Sequence, residues 1–287
     1  MSDGTRVGGR PSRGRPSRPD ADLMVRRLSA AAKYSAVHPD TIADVVRHEA
    51  EHAANDADLE RRARLRLHKV VADYLLSARP ARLLRGLDEA VADGPDAVRA
   101  WCRDVLTRHF STAERLPDLD EFYPAIVSLT GPPASVADLA CALNPFTLPW
   151  LRDVTDAPYV GYDFNRALVA ATGAFAERVD RAAEVRHCDV LLSPEPIRAD
   201  VALLLKTYHC VEDRLSGAGL RLVAEVAADR VVVSFPLRAM NGRAAVFTRP
   251  HIDALSRLAD ERGWAVRRAR LSTEELVVID KEHDGAQ

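Results

Sequence analysis

Ser135-Val136-Ala137-Asp138-Leu139-Ala140-Cys141-Ala142-Leu143-Asn144-Pro145 carries an apolar run into an acid, then small residues, then Asn-Pro. A second run, Pro158-Tyr159-Val160-Gly161-Tyr162-Asp163, also ends in an acid and leads into the helical pattern FNRALVAATGAFAERV. The alternation continues through AEVRHCDV, then ADVALLLK with a helix from about Tyr208, then DRVVVSFP with a helix at about 250–262. Short apolar runs separated by helices predict a parallel sheet with crossover helices. AVRRARL and ELVVID come last, separated by Ser-Thr-Glu, and so tight a connection predicts an antiparallel hairpin at one sheet edge.

Upstream the pattern is different. Residues 21–115 read as helix throughout, beginning with DLMVRRLSAAAKY. A break at His38-Pro39-Asp40 precedes a second helix, TIADVVRHEAEHAA. A third is expected from about Leu59 to Ser77, with Leu65, Leu67, Val70, Val71, Tyr74 and Leu75 as its apolar face. Residues 1–20 are Gly, Pro, Ser and Arg with almost nothing apolar, the composition of a disordered tail. The expected organisation is a tail over 1–20, an all-α domain over 21–125 and an α/β domain over 126–287.

The 287 residues are 47% apolar and 29% charged, ordinary for a soluble globular protein. Four cysteines without a C-x-x-C pair argue against a zinc ribbon or a disulfide scaffold and fit a reducing cytosol. No apolar run reaches the roughly 18–20 residues of a membrane span, and the arginine-bearing N-terminus has no apolar h-region of a secretory signal. A cytoplasmic protein with neither membrane nor metal partner is expected. The net charge of −2 hides an uneven distribution: residues 61–85 hold eight basic residues against one acid, and residues 86–121 four against nine. That pattern suggests a local polyanion contact rather than a coat on nucleic acid.

In an open α/β sheet, ligands sit outside the carboxyl ends of the strands. Ala140-Cys141-Ala142 lets backbone approach a ligand there. Asp163 ends the second run, where an acid can hold both ribose hydroxyls, and Asp189 follows the third, where an acid or its neighbouring amide can reach an adenine amine. Acids after three successive strands suggest a nucleoside-cofactor pocket, although single acids often cap helices. Lys206 ends the fourth run, either as a cation facing the ligand or as a lysine snorkelling from a strand end. Cys210 lacks the Pro-Cys context of a pyrimidine-methylating nucleophile and reads as a buried thiol. His48-Glu49-Ala50-Glu51-His52 is a literal H-E-x-x-H, but its polar surroundings and lack of a third ligand argue against a metalloprotease.

The runs, in order, have the layout of the class I S-adenosylmethionine-dependent methyltransferase fold, a Rossmann-like sheet with a terminal antiparallel hairpin, here preceded by helices. His109-Phe110-Ser111-Thr112-Ala113-Glu114-Arg115-Leu116, residues 138–145, Leu205-Lys206-Thr207, Val233-Ser234-Phe235-Pro236 and Asn241-Gly242-Arg243 resemble the aminoglycoside-resistance 16S rRNA methyltransferases. Those enzymes methylate N7 of guanosine 1405 in the decoding region of the 30S subunit. The resemblance spans most of residues 25–281. It implies that Arg115 pairs with the methionine carboxylate of S-adenosylmethionine, that Ala140 and Ala142 pass beside the methionine, that Asp163 holds the ribose, and that Asp189 and Val190 hold the adenine. It places Lys206 and a loop at 234–236, Phe235 included, as catalytic residues near the target base. Arg243 would lie near RNA, and Arg61, Arg62, Arg64, Arg66 and Lys69 would contact phosphates.

The family's turn usually has glycine where this chain has Ala142, and often at Ala140. A positive φ at Ala142 would strain the turn through its Cβ. Guanine N7 carries a lone pair and no proton, so its methylation needs neither a general base nor a covalent intermediate, which fits the absence of a catalytic cysteine. Two other readings remain: a small-molecule methyltransferase, which leaves the basic helices without a role, and an RNA-binding protein with a weakened cofactor pocket. The related N1-adenosine 1408 enzymes lack an N-terminal domain of this kind.

Overall fold

The computed structural model describes residues 19–71, 82–238, 245 and 247–282. Its centre is a seven-stranded sheet of order β3-β2-β1-β4-β5-β7-β6. The strands are β1 (Val136–Leu139), β2 (Tyr159–Asp163), β3 (Ala183–His187), β4 (Arg198–Leu205), β5 (Ala227–Pro236), β6 (Ala265–Arg270) and β7 (Glu274–Asp280). β1 to β5 run parallel, β7 pairs antiparallel with β5, and β6 pairs antiparallel with β7 at the edge. This is the sheet the run pattern predicts. All four residues of β1 are buried, as are Val201–Leu205 of β4 and Val231–Pro236 of β5. Such unbroken burial follows from helices covering both faces.

The N-terminal helices are α1 (Ala21–Ser29), α2 (Pro39–Ala50) and α3 (Asp56–Val71), followed by α4 (Leu87–Asp93), α5 (Pro95–Leu106), α6 (Phe110–Arg115) and α7 (Leu119–Thr130). α8 (Leu148–Leu151), α9 (Arg166–Val179), α10 (Tyr208–Arg214), α11 (Ala218–Glu225) and α12 (Thr248–Arg262) lie among the strands. The helical segment does not share one core. Met24, Leu28, Ile42, Val46, Leu59 and Leu67 close a core of their own among α1, α2 and α3. Side chains of α4, α5 and α7, such as Leu87, Val105 and Phe122, instead pack with Phe175 of α9 on one face of the sheet. Tyr208, Leu222 and Leu255 cover the other face from α10, α11 and α12. Position 125, the expected boundary, falls inside α7.

Two local expectations change. The buried face of α3 is Leu59, Ala63 and Leu67, whereas Leu65 is 55% exposed; Tyr74 and Leu75 lie outside the described residues, as do 1–18 of the expected tail. Residues 234–236 are not a loop. They are the end of β5, held by pairing of Phe235 with Glu275 and Pro236 with Glu274 in β7.

Candidate functional site

The carboxyl ends of β1, β2 and β4 open on a cavity of about 140 Å³, lined among others by Arg115, Asp138, Ala140, Ala142, Asn144, Asp163 and Lys206. Ala140, Phe164, Thr207 and Cys210 also line a larger groove of about 730 Å³, so the two are neighbours. Asp189, Val190 and Leu191 form part of the groove on the sheet side, and Arg61, Arg62, Leu65, Arg66 and Lys69 of α3 form part of it on the other. The sheet therefore brings together the three acids that the sequence singles out.

Their surroundings differ. Asp138 is 1% exposed; its Oδ2 accepts from Tyr159 Oη and Asn144 Nδ2, both at 2.6 Å. Its Oδ1 is buried with no hydrogen-bond partner among the described residues, and burial pushes its pKa up to about 6. An unpartnered carboxylate oxygen is costly unless a ligand donor meets it. Asp163 accepts from the amides of Asn165 at 2.7 Å and Ala142 at 2.9 Å, and burial raises it to about 6 as well. Each of its oxygens accepts one of these bonds and has capacity for a second. Asp189 spends one oxygen on Thr41 Oγ1 and Arg214 Nη1, at 2.5 and 2.6 Å, and the other on the Leu191 amide at 3.1 Å.

Backbone strain concentrates here. Among the described non-glycine residues, those with positive φ are Ala140 (56°), Ala142 (45°) and Lys206 (54°), and all three line the small cavity. Such conformations cost of order 1–3 kcal/mol each and cluster at ligand sites. Close packing tightens the turn further: a Cβ on Gly161 of β2 would lie 3.0 Å from Cys141 Sγ.

Beneath the cavity lies a buried charge network. Arg115 Nε and Nη2 donate to the two oxygens of Glu274 at 2.6 and 3.0 Å, and Nη1 donates to Asn144 Oδ1 at 2.8 Å. One N–H on each terminal nitrogen remains for a ligand. Lys206 Nζ lies 2.7 Å from Glu114 Oε2 and 3.8 Å from Glu274 Oε1. Attraction to Arg115 and Lys206 holds the Glu274 carboxyl below its ordinary range against the opposing effect of burial.

The family profile described as Ribosomal RNA methyltransferase (FmrO) matches residues 30–279. The chain belongs to this ribosomal RNA methyltransferase family. It is 32% identical over 264 residues, 91% of its length and 96% of the relative's, to a protein of Micromonospora rosea named 16S rRNA (guanine(1405)-N(7))-methyltransferase. Among solved structures it is similar to the 16S rRNA methylase RmtB, with TM-score 0.73 and 26% identity over 92% of this chain and 99% of that one. It is also similar to the 16S rRNA methyltransferase RmtF in complex with S-adenosyl-L-homocysteine, with TM-score 0.74 and 27% identity over 91% and 97% of the two chains.

In this ribosomal RNA methyltransferase, Arg115, Ala140, Ala142, Asp163, Asp189, Val190 and Lys206 all line one or other cavity. Phe235 does not. Its ring is 1% exposed and packs against Tyr208, 5.5 Å between centroids, inside the core. The strand pairing that turns residues 234–236 into β5 is the reason. Lys206 does not snorkel to solvent; its ammonium is buried against Glu114. The basic residues of α3 divide. Arg62 and Arg66 turn inward to Glu49, in ion pairs at 2.8 and 3.5 Å, while the Arg61 side chain is 67% exposed and Lys69 is exposed. Arg64 is tied to Glu60 at 2.9 Å. Arg243 lies outside the described residues. Glu49, the acid of H-E-x-x-H, is thus 5% exposed and bound to arginines, and no cluster of potential metal ligands exists among the described residues.

Sequence reasoning left Asn144, Glu274, Glu114, Thr41 and Arg214 out of the site. Glu274 stands in the hairpin that closes the sheet, 159 residues from Arg115, and no local spacing signals that contact. Asn144 was legible: it stands in the Asn-Pro of the turn after β1. No described helix is long and apolar enough to cross a membrane.

Proposed function

We propose that the chain methylates N7 of guanosine 1405 of 16S rRNA in the 30S subunit, with S-adenosylmethionine as methyl donor, in the cytoplasm, and thereby protects the ribosome from aminoglycosides. The supporting observation is the Asp138 Oδ1, without a hydrogen-bond partner among the described residues, beside Asp163 and Arg115 at one cavity, in a chain of this family. Those groups fit an amino acid joined to a nucleoside: a carboxylate oxygen for an ammonium, Arg115 N–H groups for a carboxylate, and Asp163 lone pairs for ribose hydroxyls. Val190 and the amides near Asp189 suit the adenine.

Bound S-adenosylmethionine supplies an electrophilic methyl group on a sulfonium. The chain has no proton to remove from N7, so its task is orientation and exclusion of water. Glu274 fixes Arg115 and, with Glu114, fixes Lys206; these side chains position the floor of the site. The target base lies in folded RNA and must be flipped out, at a cost of a few kcal/mol that phosphate contacts offset. We assign the docking role to the helical segment 21–125, chiefly to the exposed side of α3 with Arg61 and Lys69, and the methyl transfer to 126–287.

Methyl transfer from radiolabelled S-adenosylmethionine to purified 30S subunits, followed by mapping of the label, tests the proposal. Label at N7 of guanosine 1405 is expected. Label on a small molecule without ribosomes overturns it. The strained Ala140 and Ala142 favour one other reading, an RNA-binding protein with a weakened pocket, for which ribosome binding without any label is the sign.

A further inference from the structure

We propose that Arg214 is a positioning residue that clamps α2 and α3 against the adenosine end of the groove, so that cofactor binding and the seating of the N-terminal helices on RNA are one coupled event. The inference rests on the methyltransferase reading above and adds to it a physical link between the two binding functions.

The link is a chain of buried and half-buried polar contacts. Arg214, at the end of α10, donates through Nη1 to Asp189 at 2.6 Å and through Nη2 to Asp44 of α2 at 3.0 Å. Thr41 of α2 donates to the same Asp189 oxygen at 2.5 Å. Arg66 of α3 donates to the Arg214 carbonyl oxygen, and is itself paired with Glu49 of α2. Thr41 is fully buried, and the side chains of Asp189 and Arg214 are 3% and 9% exposed. One residue therefore joins the loop after β3 to both helices that wall the groove: its guanidinium holds Asp189 and Asp44 of α2, and its carbonyl oxygen accepts from Arg66 of α3.

Asp189 also accepts from the Leu191 amide, so its carboxylate sets the path of the backbone that passes Val190 into the groove. Loss of the Arg214 guanidinium would leave a buried carboxylate without its counter-charge, loosen the loop and untie α2 from it, and α3 is held to α2 through Arg66 and Glu49. A ligand in the groove meets Val190 on one side and Leu65 and Arg66 on the other. Anything that holds α3 in place, RNA included, therefore preforms the adenosine site, and occupancy of that site holds α3. Such coupling is reciprocal and typically about 5–150-fold.

The test uses the full chain with S-adenosylhomocysteine. Its affinity is measured by calorimetry with and without 30S subunits, and amide hydrogen exchange over residues 39–71 is followed with and without the ligand. In the wild type, we expect the ligand to slow exchange in α2 and α3 and 30S subunits to tighten ligand binding. Arg214→Ala should weaken the ligand about tenfold and remove both effects. Arg214→Lys, which keeps the charge, should restore part of them. Thr41→Val preserves size and removes one hydrogen bond; it should reduce the coupling while the protein stays folded, and it carries the test if Arg214→Ala does not fold. Wild-type ligand binding with no change of exchange in α2 and α3, or full coupling in Arg214→Ala and Thr41→Val, overturns the inference alone. No ligand binding by the wild type overturns the methyltransferase reading and this inference with it.

Discussion

The backbone N–H of Ala142 donates to Oδ2 of Asp163 at 2.9 Å, so a residue at φ 45° is tied directly to the acid that ends β2. The turn after β1 and the proposed ribose acid form one unit, and strain in one is felt by the other.

Ala142→Gly should therefore stabilise the protein. Relief of a left-handed alanine is worth about 1–2 kcal/mol, against roughly 0.5–1 kcal/mol for the added freedom of the unfolded chain. A net gain of about 0.5–1 kcal/mol corresponds to a rise in Tm of roughly 1–3 °C. Thermal unfolding checks this; a lower Tm would show that the alanine is not strained. S-adenosylhomocysteine should bind at least as tightly to the variant.

Asp138 and Asp163 give opposite pH dependences to stability and to ligand binding. Burial raises both from 3.8 to about 6, so between those values the folded state holds protons the unfolded chain has lost. Stability from these two groups is present at low pH and is lost as pH rises through about 6. Affinity for a ligand ammonium should rise over the same window, as Asp138 ionises. Asp138→Asn should then raise the Tm of the free protein at pH 7.5 and weaken S-adenosylhomocysteine at least tenfold, with a flatter pH profile. Equal ligand affinity at pH 5 and 7.5 in the wild type would remove Asp138 from ammonium binding.

The division within α3 separates docking from stability. Arg61→Ala with Lys69→Ala should leave Tm unchanged and reduce the magnitude of the salt slope of 30S binding by about 1.4–1.8, the value for two phosphate contacts. Arg62→Ala with Arg66→Ala should lower Tm, because Glu49 is buried and loses both counter-charges. Binding titrations over a range of salt, beside melting curves, separate the two. An unchanged slope for the first pair would exclude that face from RNA contact.

The parallel sheet and its hairpin were legible because the buried parallel strands β1, β2, β4 and β5 read as short apolar runs separated by helices, and because the Ser-Thr-Glu connection is too short for a crossover. Asp163 and Asp189 were legible because ligands of such a sheet sit where its strands end. The inward turn of Arg62 and Arg66 was not legible, since charge density along a helix says nothing of which side meets a buried glutamate on α2. The burial of Phe235 was not legible for a related reason: Ser-Phe-Pro carries no sign of the β7 pairing that makes these residues strand. The positive φ of Lys206 had no signal at all, because Leu-Lys-Thr is compatible with extended backbone.

The Arg115–Glu274–Lys206 network should behave as a unit. Glu274 is fully buried and faces two cations, so Glu274→Gln leaves Arg115 without its paired carboxylate and Lys206 with Glu114 alone. Breaking a buried pair from one side costs about 3–5 kcal/mol. Lys206→Met added to Glu274→Gln removes one of the stranded cations and should recover at least 1 kcal/mol of that loss, a coupling that independent sites would not show. Methyl transfer should stay low in the double variant, because Arg115 still lacks the carboxylate that orients it. Denaturant unfolding of the wild type, both single variants and the double variant measures the coupling. Strict additivity would mean that Lys206 answers to Glu114 alone, and recovered methyl transfer would mean that Glu274 serves only to neutralise charge.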